Sequence, residues 1–227
     1  MTSRRRIIAL AASSIAGAMA LSACAGGGDG QQRPGGLVSS RELKPDTSIG
    51  GAWIYRNPQA NFAKYRAVLF ENVAVYDGPE ANFGSASAED RQRYARLVGE
   101  EMRRAIGEKY RLVNAPGPDV IRIHATLIGV RGTTGGVATL TRVIPIGMAI
   151  NAVRGAAGAG GTMTGGIELA VEFHDSQSNE LLAGAVRQMT PGAFDIDATL
   201  STDKTVQASG AAAGTALRDA MDRNMRR

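Results

Sequence analysis

The sequence predicts an α/β fold of the α+β kind: a two-layer sandwich, mostly antiparallel sheet with two amphipathic helices, in the order β-α-β-β-(apolar, Gly-rich segment)-β-β-α. Three observations predict it. Residues 119–130 and 167–173 alternate apolar and polar side chains, the period of strands with one face toward a core. Residues 87–107 and 202–224 repeat apolar positions three and four apart, the spacing of helices laid on such a sheet. The chain, 227 residues at 44% apolar and 21% charged, is also long enough for one substantial core.

The N-terminus stands apart from that fold. Arg4, Arg5 and Arg6 form a positive flank, Ile7 to Leu21 an apolar run softened by Ser13, Ser14 and Gly17, and small residues close it. The run is about 15 residues against the roughly 20 that span a bilayer, so residues 1–23 read as an export signal rather than a transmembrane helix. Ser3-Arg4-Arg5-Arg6 also admits twin-arginine export beside the general route. The formal charge of +5 is largely this signal's. Taking its three arginines from 26 basic residues leaves 23 against 21 acidic, an ordinary surface that gives no reason to expect nucleic acid.

Leu21-Ser22-Ala23-Cys24 resembles the lipobox of bacterial lipoproteins, in which the cysteine is acylated and becomes the first residue of the mature chain. Cys24 is the only cysteine, so no internal disulfide forms, and a polar, Gly-rich stretch follows at once. Membrane attachment is therefore expected through acyl chains on Cys24, since two or more chains anchor stably where one does not. The resemblance implies an outer-membrane, periplasm-facing address, because Ala25 stands where an aspartate would favour the inner membrane. Residues 24–50 are read as lipidated cysteine and flexible tether, with an r.m.s. reach on the order of 25 Å, and 51–227 as one globular domain.

Within that domain, Tyr65 to Tyr76 is rich in β-branched and aromatic residues, which predicts a central strand broken by Asp77-Gly78-Pro79. Ser87 with Asp90 reads as a capping box, and Tyr94, Leu97, Val98, Met102, Ala105 and Ile106 make the buried stripe of a helix ending near Gly107. Tyr110 to Val113 is a short strand and Ala115 to Pro118 a rigid turn. From Asp119 to Val130, Ile121, Ile123, Ala125 and Leu127 take one face and Arg122, His124 and Thr126 the other. Ile167–Phe173 alternates likewise, and Asp175 to Asn179 turns it into a partner strand, Leu181–Met189. In the last helix, from about Thr202 to Asn224, Val206, Gly210, Ala213, Leu217, Ala220, Met221 and Met225 face inward, and Gly210 and Gly214 permit close backbone approach. Gly132 to Gly166 combines bulky apolar residues with Ala and Gly. It either packs within the domain or contacts membrane or a neighbouring subunit.

From Trp53 to Leu182 the landmarks resemble a family of proteobacterial lipoproteins known as domain of unknown function 3313. The residues that carry the resemblance are Tyr55-Arg56-Asn57-Pro58 leading to Phe62-Ala63-Lys64-Tyr65, Pro116-Gly117-Pro118-Asp119, Glu168 to Asp175-Ser176, and Glu180-Leu181-Leu182. The family's turn usually places Gly before its Glu, where this chain has Asn179, a residue that also tolerates the left-handed conformation. Its early Gly-Phe-Leu stretch appears only as Gly36-Leu37-Val38. The resemblance implies an envelope domain and brings no catalytic residues.

No constellation points to catalysis. His174, Asp175 and Ser176 are consecutive, whereas a triad must converge from separate segments. His124 could meet Glu172 and His174 on one sheet face, and the three are the candidate metal ligands, set against the reading that they form ordinary cross-strand polar pairs with Arg122. No cofactor motif occurs: Gly158-Ala159-Gly160 has Met163 where a dinucleotide fingerprint needs glycine. The expectation is a non-enzymatic envelope lipoprotein with a binding, assembly or structural role, meeting an envelope partner or its own copies. The alternatives are a ring- or pore-forming lipoprotein using 137–166, by fold-level analogy, and an envelope hydrolase.

Overall fold

The computed structural model describes residues 33–46, 48, 51–132, 165–192, 195 and 197–225. Cys24 and nearly all of the segment expected over 132–166 lie outside them. Ten regular elements follow: β1 (Lys44–Asp46), β2 (Ala52–Arg56), β3 (Ala67–Phe70), β4 (Ala74–Val75), α1 (Ala88–Gly107), β5 (Arg111–Leu112), β6 (Val120–Arg131), β7 (Gly166–Asp175), β8 (Leu181–Met189) and α2 (Thr202–Met225). The strands form one eight-stranded sheet in the order β1-β2-β8-β7-β6-β3-β5, with β4 also paired to β6. Pairing is antiparallel from β1 through β6 and parallel where β3, β4 and β5 join. Among the described residues, no helix is long and apolar enough to cross a membrane.

The predicted two-layer sandwich is present. Ile121, Ile123, Ala125 and Leu127 are fully buried beneath the helices. A bulge after Leu127 shifts the register, so Val130 resumes the core side and Ile128 faces the other way. Ser87 caps α1 as its sequence predicts: its hydroxyl accepts the Asp90 N–H, and the Asp90 carboxylate accepts the Ser87 N–H. The two glycines of α2 meet α1. A Cβ on Gly210 would lie 3.1 Å from Val98 Cα, and one on Gly214 would lie 2.7 Å from Ala105 Cβ. The helices thus approach backbone to backbone, which a larger residue at 214 prevents.

Two expectations are corrected. Tyr65–Tyr76 is not one central strand. Phe70 pairs with Ile123 and Ala74 with Thr126, four residues of one strand against three of the other. The extra residue breaks the run into β3 and β4, and it lies outboard of β6 because α1 returns the chain parallel. Nor does the tether extend to Gly50. Residues 34–43 form a strap across the sheet's second face, with Ser39 1%, Ser40 6% and Leu43 3% exposed. Leu43 joins Tyr76, Ile128, Ala170 and Val186 in a small second core. The Ser40 hydroxyl donates to Pro34 O at 2.6 Å and accepts the Leu37 N–H at 2.9 Å, so the strap holds its own turn. It seats closely because Gly184 carries no side chain: a Cβ there would fall 2.7 Å from Ser39 Cβ.

Candidate functional site

The face opposite the helices is polar along β6 and β7. Register sets His124 opposite Glu172 and Arg122 opposite His174, which brings the four side chains to one surface. The β3–β4 break adds a fifth. Glu71 turns onto this face, its Oε2 2.9 Å from His124 Nδ1 and its Oε1 3.4 Å from Arg122 Nε. Arg122 also donates to Asn179 Oδ1 at 2.9 Å.

The strap makes one wall above this floor, through Gly36, Leu37 and Val38, and Tyr76 to Gly78 help make the other. Between them lies an open cleft of about 360 Å³. Glu172, only 2% exposed, closes its base and accepts the Ser39 N–H at 2.5 Å. Tyr76 ties the two walls, accepting the Gly36 N–H at 3.3 Å and donating to Glu80 at 2.5 Å. Burial and the Glu80 carboxylate both push the Tyr76 phenol up, so it stays a donor.

A second polar cluster closes one end of the sheet, and the residues carrying the family resemblance build it. Asp175 Oδ2 accepts Lys64 Nζ at 2.9 Å and the Tyr65 hydroxyl at 3.0 Å, while its Oδ1 accepts the N–H groups of Gln177 and Ser178. Burial pushes this carboxyl up, but the four hydrogen bonds outweigh it and hold Asp175 well below the usual carboxylate range. Burial, with Asp175 adding to it, pushes Tyr65 up to about 12. Ser176 Oγ donates to Gly117 O at 2.9 Å and accepts Gly117 N–H at 3.0 Å, pinning the proline turn. Asn57 donates to Glu180 at 2.8 Å. Asn179 stands at φ 61°, the left-handed conformation its sequence position predicts. This cluster locks the β7–β8 turn to the chain before β3.

His124, Glu172 and His174 therefore do share a face. Yet among the described residues no three or more His, Cys, Asp or Glu side chains gather as a metal would require. His174, Asp175 and Ser176 diverge: the first lines the cleft, the second meets Lys64, and the third bonds Gly117. Glu71 and Ser39 escaped the sequence reading. The only signal for Glu71 was a charged residue interrupting the apolar run Ala67 to Val75.

Fold and site together define an α/β sandwich with a strap-walled polar cleft on the sheet face away from its helices. The chain belongs to the family of proteins of unknown function DUF3313, whose model matches residues 33–219. No curated protein matches it. Among solved structures it is similar to the PelC dodecamer from Paraburkholderia phytofirmans, at 11% identity over 71% of this chain and 97% of that one, TM-score 0.34. It is also similar to a DUF4136 family protein from Bacteroides thetaiotaomicron, at 8% identity over 77% and 96%, TM-score 0.38. A DUF330 protein from Xanthomonas campestris aligns at 10% identity over 71% and 86%, TM-score 0.32. Likeness this remote decides nothing about role.

Proposed function

We propose that this chain is a non-enzymatic, lipid-anchored protein of the cell envelope whose sandwich domain binds a ligand or partner in the cleft. The strap carries this reading. It forms a wall of the cleft and is packed from Pro34 onward, so residues 25–33 alone separate that wall from Cys24. Fully extended, that linker reaches ~30 Å. Acyl chains on Cys24 would then keep the cleft near the membrane surface, in the periplasm-facing outer-membrane setting that the lipobox and Ala25 suggest. Labelling cells with a palmitate analogue and fractionating their membranes tests this with the wild type and Cys24→Ser. The wild type takes up label and follows the outer membrane, and the variant does neither. An unlabelled wild type, or a variant that still matures and fractionates with membranes, overturns the reading.

A second reading, a ring- or pore-forming lipoprotein in which 137–166 meets membrane or neighbouring subunits, is favoured by an apolar strip beside α2. Ile54 there is 43% exposed, and cavities of about 190 and 110 Å³ lie between α2 and the sheet. A monomeric mass for the lipidated protein in mild detergent counts against it.

A further inference from the structure

Three groups at the cleft share one hydrogen-bonding sense, that of an acceptor. His174 Nδ1 lies 3.3 Å from Asn179 O, and a carbonyl only accepts, so Nδ1 carries a proton and the neutral form of the ring offers Nε2 as its acceptor. His124 Nδ1 lies 2.9 Å from a Glu71 carboxylate oxygen, which again only accepts, so the neutral form of this ring also offers Nε2 as its acceptor. Glu172 is a third acceptor and the most constrained. It is 2% exposed and bonds the Ser39 N–H, with no cationic side chain of the described residues within ion-pair distance. A carboxylate taken out of water calls for a compensating positive charge.

The charge count agrees. The cleft is lined by three acids, Glu71, Asp77 and Glu172, and one base, Arg122. Arg122 already pairs with Glu71, which leaves the Glu172 carboxyl at the base with no basic side chain of its own among the described residues. His174, 4% exposed, stands beside it. A group with donors only and one positive charge matches these three acceptors. A bare metal ion does not, since the carboxylate and imidazoles do not gather closely enough among the described residues. Leu37, Val75 and Tyr76 on the walls leave room for a short apolar stem behind the charge.

We propose that the cleft binds a primary ammonium group, with Glu172 as its counter-ion and the Nε2 atoms of His124 and His174 as further acceptors. The inference rests on the cleft being a binding site, and is independent of the lipid anchor. The chemistry is shared by free alkylamines and by the headgroup of phosphatidylethanolamine.

The test is a chemical-shift titration of the full, isotopically labelled chain in mild detergent. Butylammonium should give saturable shifts at the cleft, and neutral 1-butanol should bind at least tenfold more weakly. Glu172→Gln keeps an acceptor for the Ser39 N–H but removes the charge, and should weaken butylammonium at least tenfold. Glu89→Gln, exposed on α1, should bind as the wild type does. If Glu172→Gln does not fold, His174→Ala takes its place with the same expectation. Vesicles carrying phosphatidylethanolamine, but not phosphatidylcholine alone, retain the protein if the natural source is a headgroup. Equal retention alongside butylammonium binding indicates a free amine, and both results sustain the proposal. No saturable shifts, equal binding of butanol, an unchanged affinity in the folded variant, or stoichiometric zinc that displaces butylammonium would each overturn it. If these fail while Cys24 labelling succeeds, the ligand falls and the envelope reading stands.

Discussion

Asp175→Asn removes one negative charge from the cluster that locks the β7–β8 turn, with almost no change of volume. Two of the four hydrogen bonds to this carboxylate come from the N–H groups of Gln177 and Ser178, and an amide oxygen still accepts them. The two on Oδ2, from Lys64 and Tyr65, lose a charged acceptor. A hydrogen bond to a charged group contributes about 1.5–3 kcal/mol. The Lys64 side chain is 48% exposed, so solvent screens its share toward the low values of surface pairs. Tyr65, 1% exposed, supplies the larger part. The expected loss is about 2 kcal/mol at pH 7. Because the folded-state pKa of Asp175 is depressed, its contribution is fully present above the unfolded value of about 3.9 and is lost as pH falls toward the folded one. The stability gap between wild type and variant should therefore narrow below pH ~4, by up to about 1.4 kcal/mol per pH unit. Urea unfolding of both chains at pH 7, 4 and 3 measures this. A loss under about 0.5 kcal/mol at neutral pH, or a gap that does not shrink in acid, refutes the account of this cluster.

Gly214→Ala should destabilise by about 1–2 kcal/mol, since overpacking against Ala105 and Met102 outweighs the roughly 1 kcal/mol gained in helix propensity. Gly210→Ala, whose nearest contact is 3.1 Å, should lose measurably less in the same thermal unfolding experiment. Asn179→Ala should lower stability by about 1 kcal/mol in urea unfolding, because alanine is strained at φ 61° and no longer accepts from Arg122. Ser176→Ala removes both bonds to Gly117 and should cost about 1–2 kcal/mol, with faster amide exchange at Gly117 as the local signature.

Much of this was legible from local pattern. The two-residue alternation of Ile121 to Leu127 separates the core face from the polar one, and so places Arg122 and His124 together. The Ser87 cap, the glycines of α2 and the left-handed Asn179 each follow from a few neighbouring residues. What escaped was long-range. Ser39 reaches Glu172 across 133 positions, and no period in Pro34–Leu43 announces it. Glycine and glutamine dominate the stretch before Arg33, and that composition masked Leu43, which with Leu37 anchors the strap in an apolar cluster. The β3–β4 break turns on one extra residue opposite β6, visible only once the partner strand is known. The cluster at Asp175 gathers Lys64, Tyr65 and Asp175 from over a hundred residues apart, which adjacency in sequence cannot reveal.

The strap also sets an order of assembly. A chain emerges N-terminus first, so residues 34–43 appear before every strand they rest upon. Their seat is made by Glu172 on β7 and Gly184 on β8, well over a hundred residues later. Contacts that distant close slowly, because the intervening loop must first be ordered. The earliest stretch of the domain to appear is therefore fastened only after the hairpin has formed, and until then the cleft lacks this wall.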